Sequence, residues 1–184
     1  ERMFLLHGES KYIDCLERTL YNGVISGMSM DGGRFFYPNP LSSDGKYKFN
    51  ADGNTTRQPW FGCACCPSNL CRFIPSVPGY LYGVKDNNIY VNLFAGNTST
   101  IKVNGKDVVL EETTEYPWNG DIKIAVKKSG VKNANLLVRI PGWVRNQVVP
   151  SDLYKYSDAE KPAYSVTVNG KAVEADLDAN KGYL

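Results

Sequence analysis

Apolar residues fall at Tyr12, Ile13, Leu16, Leu20, Val24 and Ile25. Steps of three and four place them on one face of a helix, predicted from Glu9 to about Met28. Ser10 is a candidate cap for its start, and Gly23 and Gly27 weaken its end. A shorter apolar turn at Met3, Phe4 and Leu5 precedes it and stops at His7-Gly8. After Gly79 the period changes to two. Tyr80–Val84, Ile89–Phe94, Ser99–Val103, Val108–Leu110, Asp121–Val126 and Leu136–Ile140 read as strands. Val103-Asn104-Gly105-Lys106 and Val168-Asn169-Gly170-Lys171 carry the same two-residue hairpin signal. The fold class is therefore mainly β with an N-terminal α part. Residues 1–78 are expected to hold helices and an irregular loop, and residues 79–184 an antiparallel β-sandwich, whole or incomplete.

Between these regions the pattern lapses. Asp31-Gly32-Gly33 reads as a turn, Arg34–Tyr37 as a short extended segment, and Lys46–Arg57 as a polar surface loop. Pro67 suits the first position of a short helix, expected to run to about Ile74 and to stop before Pro75 and Pro78. Residues 144–163 show no periodicity.

Composition narrows the function classes. The chain has 184 residues, 42% hydrophobic and 22% charged, with a formal net charge of +2. That balance does not favour nucleic acid as a partner. No apolar run approaches the ~20 residues of a membrane helix, so no membrane partner is expected. Aromatic residues are frequent. They fit a sheet core, or a sugar-stacking platform of Tyr80, Tyr82, Trp118 and Trp143.

The cysteines sharpen the picture. Four of the five, Cys63, Cys65, Cys66 and Cys71, crowd into nine residues, and Cys15 stands apart. Neighbouring cysteines do not readily pair, and an odd count does not resemble a disulfide framework. Clustered thiols bind soft metals or present one thiolate as a nucleophile. Buried small hydrophobes are the competing reading for Cys63, Cys65 and Cys66, and spacing alone leaves the two level. Cys15 and Cys71 are expected to be packing residues. Glu9, Glu17, Glu111, Glu112, Glu115, Glu160 and Glu174 read as solvated charges. Arg34, Tyr37 and Asn39 precede the thiol cluster and Trp60 opens it; they could bind a polar ligand or only the neighbouring loops.

Gly62-Cys63-Ala64-Cys65-Cys66-Pro67-Ser68-Asn69 resembles glycoside hydrolase family 127, the β-L-arabinofuranosidases. So do Gly33-Arg34-Phe35-Phe36-Tyr37-Pro38-Asn39-Pro40-Leu41 before it and Arg139-Ile140-Pro141-Gly142-Trp143 after it. Glu17-Arg18-Thr19-Leu20-Tyr21-Asn22-Gly23 fits the helix ahead of that region. The resemblance implies the end of an (α/α)6 toroid followed by a β-sandwich. It implies a retaining hydrolase with Cys65 as nucleophile and a zinc ion touched by Cys65 and Cys66. Arg34, Tyr37, Asn39 and Trp60 become candidates for substrate contact. The family's acid/base glutamate and its other zinc ligands, a glutamate and a cysteine, lie further upstream than this chain reaches. The chain is therefore expected to be a piece of a longer bacterial protein, cytoplasmic or periplasmic, and inactive by itself. An arabinose-containing oligosaccharide or glycan is the implied partner, and a homodimer is compatible with the resemblance. Two other readings stand beside it: a non-catalytic carbohydrate-binding sandwich and a structural metal–thiol module.

Overall fold

The period-two segments after Gly79 become eight strands in a computed structural model that describes residues 1–158, 163–174 and 176–184. They are β1 (Tyr82–Lys85), β2 (Asn88–Val91), β3 (Asn97–Val103), β4 (Lys106–Thr114), β5 (Ile122–Ser129), β6 (Asn135–Val138), β7 (Thr167–Val168) and β8 (Lys171–Ala172). The chain divides into two compact units, residues 1–15 with 79–184, and residues 16–78.

In the first unit the strands form sheets ordered β1-β2-β6 and β3-β4-β5, with β7-β8 a separate ribbon. Side chains from both larger sheets meet in one core. Ile89 of β2 joins Ile101 and Val103 of β3 and Val108 and Leu110 of β4, with Tyr82, Val131 and Leu136 packed against them. Each buried aliphatic side chain contributes on the order of 1.5–3 kcal/mol. The expected sandwich is present, with one correction: β2 and β6 run parallel, Ile89 opposite Leu136 and Val91 opposite Val138. The β3–β5 sheet is inserted between them in sequence, so β6 returns by a crossover rather than a hairpin. The two Asn-Gly turns behave alike. Asn104 and Gly105 have φ of 48° and 76°, and Asn169 and Gly170 have 52° and 78°, the left-handed pair that matches strand twist.

Helix α1 (Arg2–His7) ends at Gly8, whose φ of 65° gives a left-handed cap. Phe4 of this helix lies edge-on to Tyr90 at 5.5 Å. Helix α2 (Ser10–Thr19) begins in this unit. Ser10 is not spent on capping: it is buried, and its hydroxyl accepts from Arg145 at 3.1 Å. The C-terminal residues pair with the end of β6, with Val138 and Leu184 exchanging N–H···O bonds and Ile140 N–H donating to Gly182.

In the second unit the predicted long helix changes gauge. After Thr19 the backbone widens to a π turn at Leu20–Val24 and tightens to 3-10 geometry at Ile25–Gly27. Asn22 Nδ2 donates to the Arg18 carbonyl and Ser26 Oγ to the Asn22 carbonyl, side-chain bonds that compete with the helix ladder. The buried stripe of α2 is Ser10, Ile13 and Glu17 rather than the purely apolar one, and Ile25 is exposed. Phe35 then bridges Met28 on one side and Gln58 on the other. Helix α3 (Pro67–Phe73) starts at the expected proline and passes into a 3-10 segment, Ile74–Tyr80, that accommodates Pro78.

Several polar expectations are corrected. Cys15 and Cys71 are exposed rather than packed, as are Cys63, Cys65 and Cys66. Glu17 and Glu112 are buried rather than solvated. Glu160 lies outside the described residues.

Candidate active site

The thiol cluster sits where an irregular loop becomes α3. Cys66 is the residue before the helix, Pro67 its first position, and Pro67 is buried. The Cys65 carbonyl accepts from Ser68 Oγ at 3.1 Å and from Asn69 Nδ2 at 2.8 Å. Arg72 in turn hydrogen-bonds the Asn69 side-chain oxygen. The Ser68-Asn69 pair that follows the cysteines thus clamps the backbone of Cys65 and fixes where its side chain begins.

The side chain itself meets Tyr37. The Tyr37 hydroxyl lies 2.5 Å from Cys65 Sγ, and the sulfurs of Cys65 and Cys66 are 3.9 Å apart. Hydrogen bonds from Tyr37, then from Cys66, hold the Cys65 thiol below the usual thiol range. The same contacts push the Tyr37 phenol up, and a protonated phenol can donate a hydrogen bond to a thiolate sulfur. A thiol that loses its proton more readily is a better-populated nucleophile and a better ligand for a soft metal.

Two sulfurs bound tetrahedrally at about 2.3 Å to one zinc ion stand about 3.8 Å apart, so the separation of Cys65 and Cys66 fits half of such a site. Among the described residues no group of three or more His, Cys, Asp or Glu side chains is gathered to complete it.

The remaining candidates separate into two groups. Tyr37 packs edge-on against Phe61 at 5.5 Å and reaches the Cys65 sulfur, whereas Trp60 packs edge-on against Phe35 at 5.7 Å. Trp60 is 50% exposed, leaving ring surface open to solvent. The hydrogen bonds of Arg34 and Asn39 run elsewhere. The Arg34 main-chain N–H donates to Ser29 Oγ at 2.9 Å, and Asn39 Nδ2 to the Gly23 carbonyl and Ser26 Oγ at 3.2 and 2.9 Å.

Sequence reading missed Asn50. It is buried at 3% exposure, and its carboxamide ties together the segments that carry Tyr37. Only its place among Gly45, Gly53 and Asn54 hinted at a structured turn within the presumed surface loop. Of the four aromatic residues named for a stacking platform in the sandwich, Tyr82 and Trp118 differ in setting. Tyr82 points its hydroxyl inward, 3.2 Å from both Asn97 Oδ1 and Glu112 Oε2, while Trp118 is 87% exposed.

The chain is similar to known proteins along its whole length. Family models described as the catalytic domain and the middle domain of GH127 β-L-arabinofuranosidase match residues 1–79 and 88–184. A non-reducing end β-L-arabinofuranosidase of Bifidobacterium longum subsp. longum is 31% identical over all of this chain and 26% of its own length. A solved GH127 β-arabinofuranosidase is 58% identical with a TM-score of 0.88, over 100% of this chain and 27% of that one. A GH127 β-L-arabinofuranosidase from Geobacillus stearothermophilus T6 is 36% identical with a TM-score of 0.74, over 99% of this chain and 26% of that one. The chain therefore spans about a quarter of the length of the relatives it matches.

Proposed function

The chain belongs to glycoside hydrolase family 127, and on that premise we propose that it carries the nucleophile of a retaining hydrolase that releases β-L-arabinofuranose from arabinose-containing oligosaccharides or glycans. The contact that supports this reading is the Tyr37 hydroxyl on Cys65 Sγ, which depresses the pKa of an exposed thiol.

In the first step Cys65 Sγ forms a bond to the anomeric carbon while the bond from that carbon to the leaving oxygen breaks. A general acid protonates the leaving oxygen. In the second step water attacks the same carbon, its proton passes to the conjugate base, and the sulfur–carbon bond breaks, returning a thiolate. Two inversions give net retention. Through both steps Tyr37 donates to the sulfur whenever it carries negative charge, and the Ser68–Asn69 clamp keeps the Cys65 backbone in place.

Cys65 and Cys66 would hold a zinc ion, whose charge would keep the thiol ionised near neutral pH. The remaining metal donors and the general acid would come from parts of the enzyme outside these 184 residues. The 184-residue chain alone is accordingly expected to bind zinc weakly and to turn over no substrate. Tyr37 at the thiol and the half-exposed ring of Trp60 are the aromatic candidates for contact with a sugar ring; Asn39 would contribute by shaping the preceding loop, and Arg34 remains a candidate substrate contact.

The full-length enzyme carrying Cys65→Ser tests the assignment. Turnover of an aryl β-L-arabinofuranoside is expected to fall at least a thousandfold, on the scale of losing a covalent nucleophile. Zinc content measured with Cys66→Ser is expected to drop. Turnover by Cys65→Ser within tenfold of the wild type would rule the nucleophile assignment out.

A further inference from the structure

Tyr37 does not reach Cys65 by its own packing alone. Its main-chain N–H donates to Asn50 Oδ1 at 2.8 Å, and the same oxygen accepts from Ala51 N–H at 3.0 Å. Asn50 Nδ2 donates to the Thr56 carbonyl at 2.8 Å and approaches the Phe35 carbonyl at 3.5 Å. The Asn50 main-chain N–H donates to the Asn54 carbonyl at 2.9 Å. One buried carboxamide therefore closes the turn around Ala51–Gly53 and joins it to both sides of the Phe35–Tyr37 segment. Phe35 is fixed again through its two-way bonding with Gln58, at 2.8 and 2.9 Å. The ring of Tyr37, carried on that backbone, packs edge-on against Phe61, and its hydroxyl ends on the sulfur.

We propose that Asn50 is a positioning residue for the Cys65 nucleophile, acting through the Tyr37 main chain to set where the phenol meets the thiol. Aspartate could reproduce the acceptor to Tyr37 but not the donors to Thr56 and Phe35. Leucine or alanine reproduces neither. A buried amide with three or four satisfied partners also costs more to remove than a surface one, so stability and positioning must be read separately.

This inference rests on the reading of Cys65 as nucleophile, and the test separates the two. In the full-length enzyme, Asn50→Ala, Tyr37→Phe and the double variant are compared by the rate of Cys65 alkylation with iodoacetamide, followed by peptide mass spectrometry, and by kcat and KM. Asn50→Ala is expected to slow Cys65 alkylation at least threefold and to lower kcat at least tenfold with KM within threefold. The double variant is expected to be no slower than Tyr37→Phe alone, because both changes remove one interaction. Multiplying losses would overturn the proposal. Should Asn50→Ala not fold, Asn50→Asp decides. It keeps the acceptor, so Cys65 reactivity within twofold of the wild type despite a lower Tm is the expected result, and reactivity as low as in Tyr37→Phe is the contrary one. If Cys65→Ser retains turnover, the nucleophile reading fails, while the alkylation cycle still reports on Asn50 and Tyr37.

Discussion

Arg139 Nη1 donates to Asp14 Oδ1 at 2.6 Å, joining the end of β6 to a helix 125 residues earlier in the chain. Arg139 is wholly buried, its Nε donates to the Asn92 carbonyl at 2.6 Å, and its guanidinium lies 5.5 Å from the centre of the Phe94 ring. Asp14 Oδ1 also accepts from Gly142 N–H at 3.1 Å. The Arg-Ile-Pro-Gly-Trp segment is thus a structural lock of the sandwich unit. Asp14→Ala would leave a buried guanidinium short of its counter-charge and is expected to cost about 3–5 kcal/mol. Urea unfolding measures this; a loss below about 1 kcal/mol would show that the pair is idle.

Glu112 makes the sandwich unit sensitive to pH. Burial pushes its carboxyl up to about 7 from 4.5, and Oε1 is buried with no hydrogen-bond partner. A raised folded-state pKa means that the protonated form favours folding. That contribution is complete below the unfolded value and is lost as pH rises through the folded one. Glu112→Gln is therefore expected to match the wild type at pH 4 and to be more stable at pH 8, by roughly 2–3 kcal/mol at most. Thermal unfolding at the two pH values checks it, and equal Tm at pH 8 would contradict it.

These two residues show where sequence reading stopped. The Asn-Gly hairpins were legible because local backbone chemistry decides them: Asn104 and Gly105 need left-handed φ whatever surrounds them. The cysteine cluster, with Pro67 opening a helix, was legible for the same reason. Glu112 reads as a solvated charge and Asn50 as part of a polar loop, since their burial depends on partners distant in sequence; the partners of Arg139 are equally distant. The parallel pairing of β2 with β6 was hidden likewise, because Asn88 and Asn135 meet across 47 residues. Cys15 and Cys71 are exposed despite the burial tendency of cysteine, because the buried face of α2 is Ser10, Ile13 and Glu17 and that of α3 is Pro67.

Gly182 shows a steric requirement at the C-terminal end. Its φ is +87°, and a Cβ there would fall 1.9 Å from Ser10 Oγ. Gly182→Ala combines left-handed strain with that clash and is expected to destabilise by about 2–4 kcal/mol. Gly105→Ala, at φ +76° with nothing within 4 Å of the new carbon, serves as the control for strain alone. Equal losses in the two variants would refute the steric argument.

Tyr37→Phe reads out the electrostatics of the thiol directly. The phenol is the largest cause of the lowered Cys65 pKa, so removing it is expected to move the pH midpoint of Cys65 alkylation upward. Chelator-treated protein, titrated with iodoacetamide between pH 6 and 10, would show the shift. A midpoint that stays put or moves down would mean that Tyr37 does not stabilise the thiolate.

Reactivity of the sulfur at position 65 toward a sugar is the claim on which the functional account stands. Full-length enzyme incubated with a mechanism-based arabinofuranosyl electrophile, then digested and sequenced by tandem mass spectrometry, measures it most directly. The predicted result is a single added sugar on Cys65, absent in Cys65→Ser. Labelling of any other residue with Cys65 left free would contradict the account.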